Sequence, residues 1–125
     1  MTRLPLAVIG CGLIGMRHAR IAHDSDRIDL TAVVESDDAR RRELIAQGLP
    51  AVASVADVPG RTRAAIVATP TPDHANSGLA AIDRRWAVLV EKPLAGTLAE
   101  ADALITASRR QGVPVITGHH RRCHP

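Results

Sequence analysis

Short apolar runs that do not alternate with polar residues constrain this chain most. Leu6-Ala7-Val8-Ile9 stops at Gly10, Leu30-Thr31-Ala32-Val33-Val34 at Glu35, and Ala64-Ala65-Ile66-Val67-Ala68 at Thr69-Pro70. Ala87-Val88-Leu89-Val90 stops at Glu91-Lys92-Pro93, and Val113-Pro114-Val115-Ile116-Thr117 at Gly118. A strand with one face in water alternates, whereas a continuously apolar strand is buried on both faces. Ala51-Val52-Ala53 is a shorter candidate of the same kind. Helix-length stretches separate the runs: Leu13 to about His23, Asp37 or Asp38 to Gln47, about Asp73 to Ile82, and Thr97 to Arg110. Parallel strands need such crossovers, because no hairpin can join them. The pattern predicts an α/β chain: a doubly wound parallel sheet of about six strands with helices on both faces. No repeat, linker or composition shift divides residues 1–125, so a single domain is expected.

Local signals punctuate these elements. Gly48 and Pro50 stop the second helix, Thr97 with Glu100 opens the fourth as a capping box, and Gly112 ends it. Trp86 is the one residue among Phe, Tyr and Trp, so the core has to be built from Ala, Val, Leu and Ile. That suits helices packed closely on a β-branched sheet.

The charge pattern excludes several function classes. The net charge is +3, from 16 Lys and Arg against 13 Asp and Glu. Lys92 is the single lysine; the arginines fall in scattered pairs and one triplet, Arg40-Arg41-Arg42. No aromatic residues interleave with them for base stacking, so solvated helix faces are expected rather than a nucleic-acid surface. No run reaches the ~18–20 apolar residues of a membrane span. Met1 to Met16 contains Pro5 and three glycines and lacks a small-residue cleavage site before Arg17, so it does not fit a signal peptide. Two cysteines do not make a disulfide framework, and a cytoplasmic protein is expected.

Gly10-Cys11-Gly12-Leu13-Ile14-Gly15 spells G-x-G-x-x-G between the first predicted strand and the first predicted helix. Glu35 follows twenty residues after Gly15, at the end of the second strand. Each part has a mechanical task in a dinucleotide site. Gly10 allows a tight turn, Gly12 lets a pyrophosphate approach the backbone, and Gly15 lets the helix pack close to the strand. The helix N-terminus offers free N–H groups to phosphates, and Glu35 can accept both adenosine ribose hydroxyls. A methyltransferase also uses a glycine loop and an acidic residue, though its loop more often reads as a shorter acidic E/D-x-G-x-G. A glutamate repels a 2′-phosphate, which favours NAD; Ser36 and Arg40 to Arg42 keep NADP open, since an arginine can neutralise that phosphate. Cys11 is not expected to be a nucleophile, because a pyrophosphate on the loop would cover it.

With these features, Ala68-Thr69-Pro70-Thr71-Pro72-Asp73-His74 and Glu91-Lys92-Pro93 make the chain resemble the Gfo/Idh/MocA family of NAD(P)-dependent oxidoreductases. The resemblance covers essentially the whole chain and extends to His18 and to Gly118-His119-His120-Arg121-Arg122. It implies a Rossmann-like fold and a cofactor site at Gly10, Cys11, Gly12, Leu13, Ile14, Gly15, Glu35, Arg40, Thr69, Pro70, His74, Glu91, Lys92 and Pro93. Thr69, Pro70 and His74 would line the nicotinamide half. Lys92 would be the catalytic residue, assisting proton movement, with Glu91 and Pro93 shaping its loop and a Lys-Pro bond that is often cis. The implied substrate is sugar- or polyol-like, and the implied reaction is hydride transfer to or from nicotinamide.

Relatives in that family continue into a second α/β domain that supplies most of the sugar pocket. No Asp-x-x-x-His pair follows Lys92, and Cys123 stands where relatives usually carry an aromatic residue. The chain is therefore expected to represent the cofactor half, catalytically incomplete by itself. The alternative is a free-standing dinucleotide-binding module without turnover. An uncovered apolar face near the sixth strand would favour self-association. His119, His120, Cys123 and His124 are metal-capable, but no second ligand pair at suitable spacing accompanies them, and no metal is expected.

Overall fold

The computed structural model describes residues 2–118. Six strands form one sheet: β1 (Leu4–Ile9), β2 (Ile28–Val34), β3 (Ala51–Val52), β4 (Ala64–Val67), β5 (Ala87–Glu91) and β6 (Val115–Gly118). Four α-helices connect them: α1 (Leu13–Asp24), α2 (Asp38–Ala46), α3 (His74–Asp83) and α4 (Leu98–Gln111). The strand order is β3-β2-β1-β4-β5-β6, and every pairing is parallel. The doubly wound sheet expected from the apolar runs is thus present.

Continuous apolar runs were needed because each strand feeds two cores. Ala7, Ile9, Ala65, Val67, Val88 and Val90 face one side, where Ala81, Ile82, Trp86 and Leu104 close over them. Leu6, Val8, Val33 and Ala64 face the other, against Ala19 and Ala22 of α1 and Leu44 of α2. Small alanines on both layers let helix and sheet approach closely, and Trp86 is the largest of the buried side chains.

The helix ends follow the predicted chemistry with two refinements. The Asp37 side chain caps α2 by accepting from the Arg40 N–H, and Gly112 closes α4 in the left-handed conformation. Thr97 accepts from the Glu100 N–H at 3.1 Å, but the Glu100 carboxylate accepts from the Thr97 hydroxyl rather than from its backbone. The third helix starts at His74, close to the expected start, with Asp73 as its N-cap and a 3-10 turn over Thr71–Asp73 leading into it. Pro72 has no N–H and disfavours helical geometry at Thr71, so the chain tightens before it can coil. Similarly β6 begins only after Pro114, which cannot donate to the ladder.

Arg84 corrects the reading of the arginine pairs as solvated charges. Its guanidinium lies 4.9 Å over the Trp86 ring and donates to the Val55 carbonyl at 2.9 Å and the Val58 carbonyl at 3.3 Å. It thereby ties the segment holding a second 3-10 turn, Val55–Asp57, to the end of α3. Among the described residues no helix is long and apolar enough to cross a membrane.

Candidate functional site

From β1 the chain winds outward in one direction to β2 and β3, and from β4 in the other to β5 and β6. The loops leaving the carboxyl ends of β1 and β4 therefore part company, which opens a crevice at this switch point. A cleft of about 1310 Å³ lies there. The loops after β1, β2, β4 and β5 line it with Gly10–Ile14, Glu35–Asp37, Ala68–Thr71 and Glu91–Lys92, respectively.

The three glycines differ in what surrounds them. Gly10 has φ +93°, and a Cβ there would sit 2.8 Å from the Thr69 nitrogen and 2.9 Å from the Ala68 carbonyl oxygen. A Cβ on Gly15 would sit 2.0 Å from the Gly10 carbonyl oxygen. These two positions let loop, β4 and α1 come together. Gly12 has nothing within 4 Å of a built Cβ, so its space opens to the cleft. It is also the N-cap of α1; no side chain caps the helix there, and the first turn carries no acid. The opening N–H groups and the positive end of the helix dipole are thus left for an anionic ligand.

Glu35 stands at the end of β2, where one carboxylate oxygen accepts from the Asp37 N–H at 3.0 Å. Two of the three arginines beyond it, Arg40 and Arg41, have separate fates. Arg40 lines the cleft while pairing with Glu43 at 3.0 Å. Arg41 donates to the Glu35 and Ser36 carbonyls and pairs with Asp38, so it braces the turn rather than the cleft. Cys11 is buried, with its sulfur 3.5 Å from that of Met16. Burial pushes its thiol up; Arg40 pulls it partly back, while Glu35 adds to the rise. A thiol held protonated is a poor nucleophile.

On the opposite wall, His18 of α1 lies 2.6 Å from the Glu91 carboxylate at the end of β5. The next residue, Lys92, lines the cleft, and the Lys92–Pro93 bond is cis. Thr69 presents a buried hydroxyl with no hydrogen-bond partner among the described residues. His74 is 2% exposed and meets two main-chain carbonyls, those of Thr69 and Pro93, each at 2.7 Å. Its ring therefore braces two loops, and neither nitrogen is open to the cleft. Sequence reasoning had His18, Glu91 and His74 as motif members but missed these pairings, since each partner lies on another element. The metal-capable tail, His119 to His124, lies outside the described residues.

These groups fit a dinucleotide. An uncapped helix start, a terminal carboxylate and an unpartnered hydroxyl belong to residues that line one cleft, beside the open space at Gly12.

Comparison with known proteins agrees. Residues 4–119 match the Gfo/Idh/MocA model, described as an oxidoreductase family with an NAD-binding Rossmann fold. The chain is 29% identical over 127 residues to the rhizopine catabolism protein MocA of Rhizobium meliloti, covering 100% of this chain and 40% of that protein. It is 34% identical over 133 residues to an inositol 2-dehydrogenase of Mycolicibacterium smegmatis, covering 100% of this chain and 38% of that protein. Among solved structures, GenD2 from gentamicin A biosynthesis, in complex with NAD, superposes with a TM-score of 0.85 at 30% identity. That match covers 94% of this chain and 35% of GenD2. The chain thus spans about two fifths of the length of the curated relatives it matches.

Proposed function

Since the chain belongs to the Gfo/Idh/MocA oxidoreductase family, as an NAD-binding Rossmann domain, we propose that it forms the cofactor half of a dehydrogenase of sugar- or polyol-like substrates. The observation that carries this is the placement of the open Gly12, the uncapped α1 and Lys92 around one cleft. In this reading the α1 N-terminus and glycine loop hold the pyrophosphate, and the Glu35 carboxylate accepts from the adenosine ribose. Thr69 and Pro70 line the nicotinamide half. A carboxylate at Glu35 would repel a 2′-phosphate, and Arg40 is already engaged by Glu43; both favour NAD over NADP.

The chemistry that such a cofactor supplies when bound is hydride exchange at its nicotinamide ring. Lys92 holds or releases a proton at Nζ for the substrate oxygen, a contribution of order 10²–10⁴-fold in rate. Glu91, paired with His18, anchors the strand end from which Lys92 projects. Inositol dehydrogenase relatives support a polyol as the substrate class.

The test is a fluorescence titration with NADH and NADPH. NADH is expected to bind more tightly, and Gly12→Val is expected to abolish binding by filling the open space. Equal binding by wild type and Gly12→Val would remove the proposed site.

A further inference from the structure

His74 poses a hydrogen-bond problem that the cofactor reading does not use. Its Nδ1 lies 2.7 Å from the Pro93 carbonyl oxygen and its Nε2 lies 2.7 Å from the Thr69 carbonyl oxygen. A carbonyl oxygen only accepts, and a neutral imidazole carries one N–H and one lone pair. In the neutral ring one lone pair would therefore face carbonyl lone pairs at hydrogen-bond distance, with the side chain 2% exposed and no water able to intervene freely. The imidazolium donates at both ends, and 2.7 Å lies at the short end of the N–H···O range, which charge-assisted bonds share. Burial of a cation opposes this state. Two carbonyl dipoles aimed at the ring offset that cost, one from the loop after β4 and one from the loop after β5. The charged groups lining the cleft are Asp73 before α3, Glu91 and Lys92 at the end of β5, Arg17 and His18 on α1, and Glu35, Asp37 and Arg40 beyond β2. Glu91 is already committed to His18.

We propose that His74 is a positioning residue: protonated on both ring nitrogens, it clamps the Thr69–Pro70 turn to the Lys92–Pro93 turn and so fixes where Lys92 stands in the cleft. The carbonyl it holds belongs to the residue next to Lys92. The other carbonyl belongs to the residue whose hydroxyl is left unpartnered. One ring thus sets the spacing between the cofactor-lining loop and the lysine. The inference rests on the proposed function only in taking Lys92 as the working group.

The sequence supplies its own probe, because Lys92 is its single lysine. Reductive methylation with ¹³C-formaldehyde labels Lys92 and the N-terminal amine alone, and Lys92→Arg identifies which signal is which. Long-range ¹H–¹⁵N spectra of the folded chain are expected to show both His74 ring nitrogens protonated, a pattern assigned by its loss in His74→Gln. His74→Gln, which offers a donor at one end only, is expected to displace or broaden the Lys92 methyl signal and weaken NADH binding several-fold. Gly12→Val is expected to abolish NADH binding and leave the Lys92 signal in place. A single protonated ring nitrogen in the wild type overturns the proposal. So does an unmoved Lys92 signal in a His74→Gln chain that still melts cooperatively by Trp86 fluorescence. If His74→Gln does not fold, the wild-type ring nitrogens decide: two protons support the clamp and one overturns it. Failure of the wild type to bind NADH would remove the cofactor reading, leaving the ring spectra and the Lys92 signal to judge the clamp.

Discussion

Gly12 and Gly15 stand three residues apart, yet a methyl group would meet different surroundings at each. At Gly15 it would lie 2.0 Å from the Gly10 carbonyl, a backbone atom that α1 and β1 hold from both sides. Gly15→Ala is expected to cost about 4 kcal/mol, the range of severe core strain, and to lower the melting point read by Trp86 fluorescence. At Gly12 nothing lies within 4 Å, so Gly12→Ala should cost less than about 1 kcal/mol, the scale of a changed N-cap. Its main effect should be on cofactor affinity. Cys11 gives a pH-dependent prediction. Burial raises its thiol, so the folded chain keeps a proton that the unfolded chain releases first as pH climbs. The thiol's contribution to stability is present below the ordinary thiol range and lost as pH rises through the folded value. Melting curves in a Cys123→Ser background should therefore decline more steeply at alkaline pH than those of its Cys11→Ala counterpart. The glycine loop was legible in the sequence because its geometry is local to six residues. The His74 contact with Pro93, the Arg84 bonds to Val55 and Val58 and the His18–Glu91 pair were not, because those partners lie 19, 29 and 26, and 73 residues away. No periodicity in the chain records such meetings.

The elements show the same division between local and distant causes. Strand positions could be read from apolar runs because both sheet faces are covered, and the runs predict β1, β2, β4 and β5 to within about two residues. The edges were less legible: β3 is two residues long and β6 starts after Pro114. The sheet order could not be read, since it depends on which crossovers pack together. α4 illustrates a purely local device with a measurable worth. Thr97 satisfies the Glu100 N–H and receives the Glu100 carboxylate in return. Thr97→Ala is expected to reduce stability by about 1 kcal/mol without changing NADH affinity, because α4 does not line the cleft. Urea unfolding followed at Trp86, paired with an NADH titration, checks both halves of this expectation.

Across the whole molecule, one crevice collects contributions from both halves of the sheet, and turnover asks more than a cofactor site. Holding a substrate carbon against nicotinamide can contribute roughly 7–11 kcal/mol to a hydride transfer, more than the proton transfer proposed for Lys92 would supply. The chain spans 40% of the MocA relative, and the expected outcome with NAD and a panel of polyols is no turnover at an ordinary dehydrogenase rate. Turnover that Lys92→Ala abolishes would show the 125 residues to be sufficient. The all-parallel sheet also has a consequence in time. β1 gains its first neighbour when Leu6 meets Leu30, but its second only when Leu6 meets Ala64 across α1, β2, α2 and β3. Such closures are entropically slow and set the pace of folding. Gly10 is packed against Ala68 and Thr69, so the glycine loop has no floor until that late closure is made. A nascent chain would therefore carry the whole G-x-G-x-x-G segment well before it could retain a nucleotide, and the ligand would arrive as a seal on the finished fold rather than as a template for it.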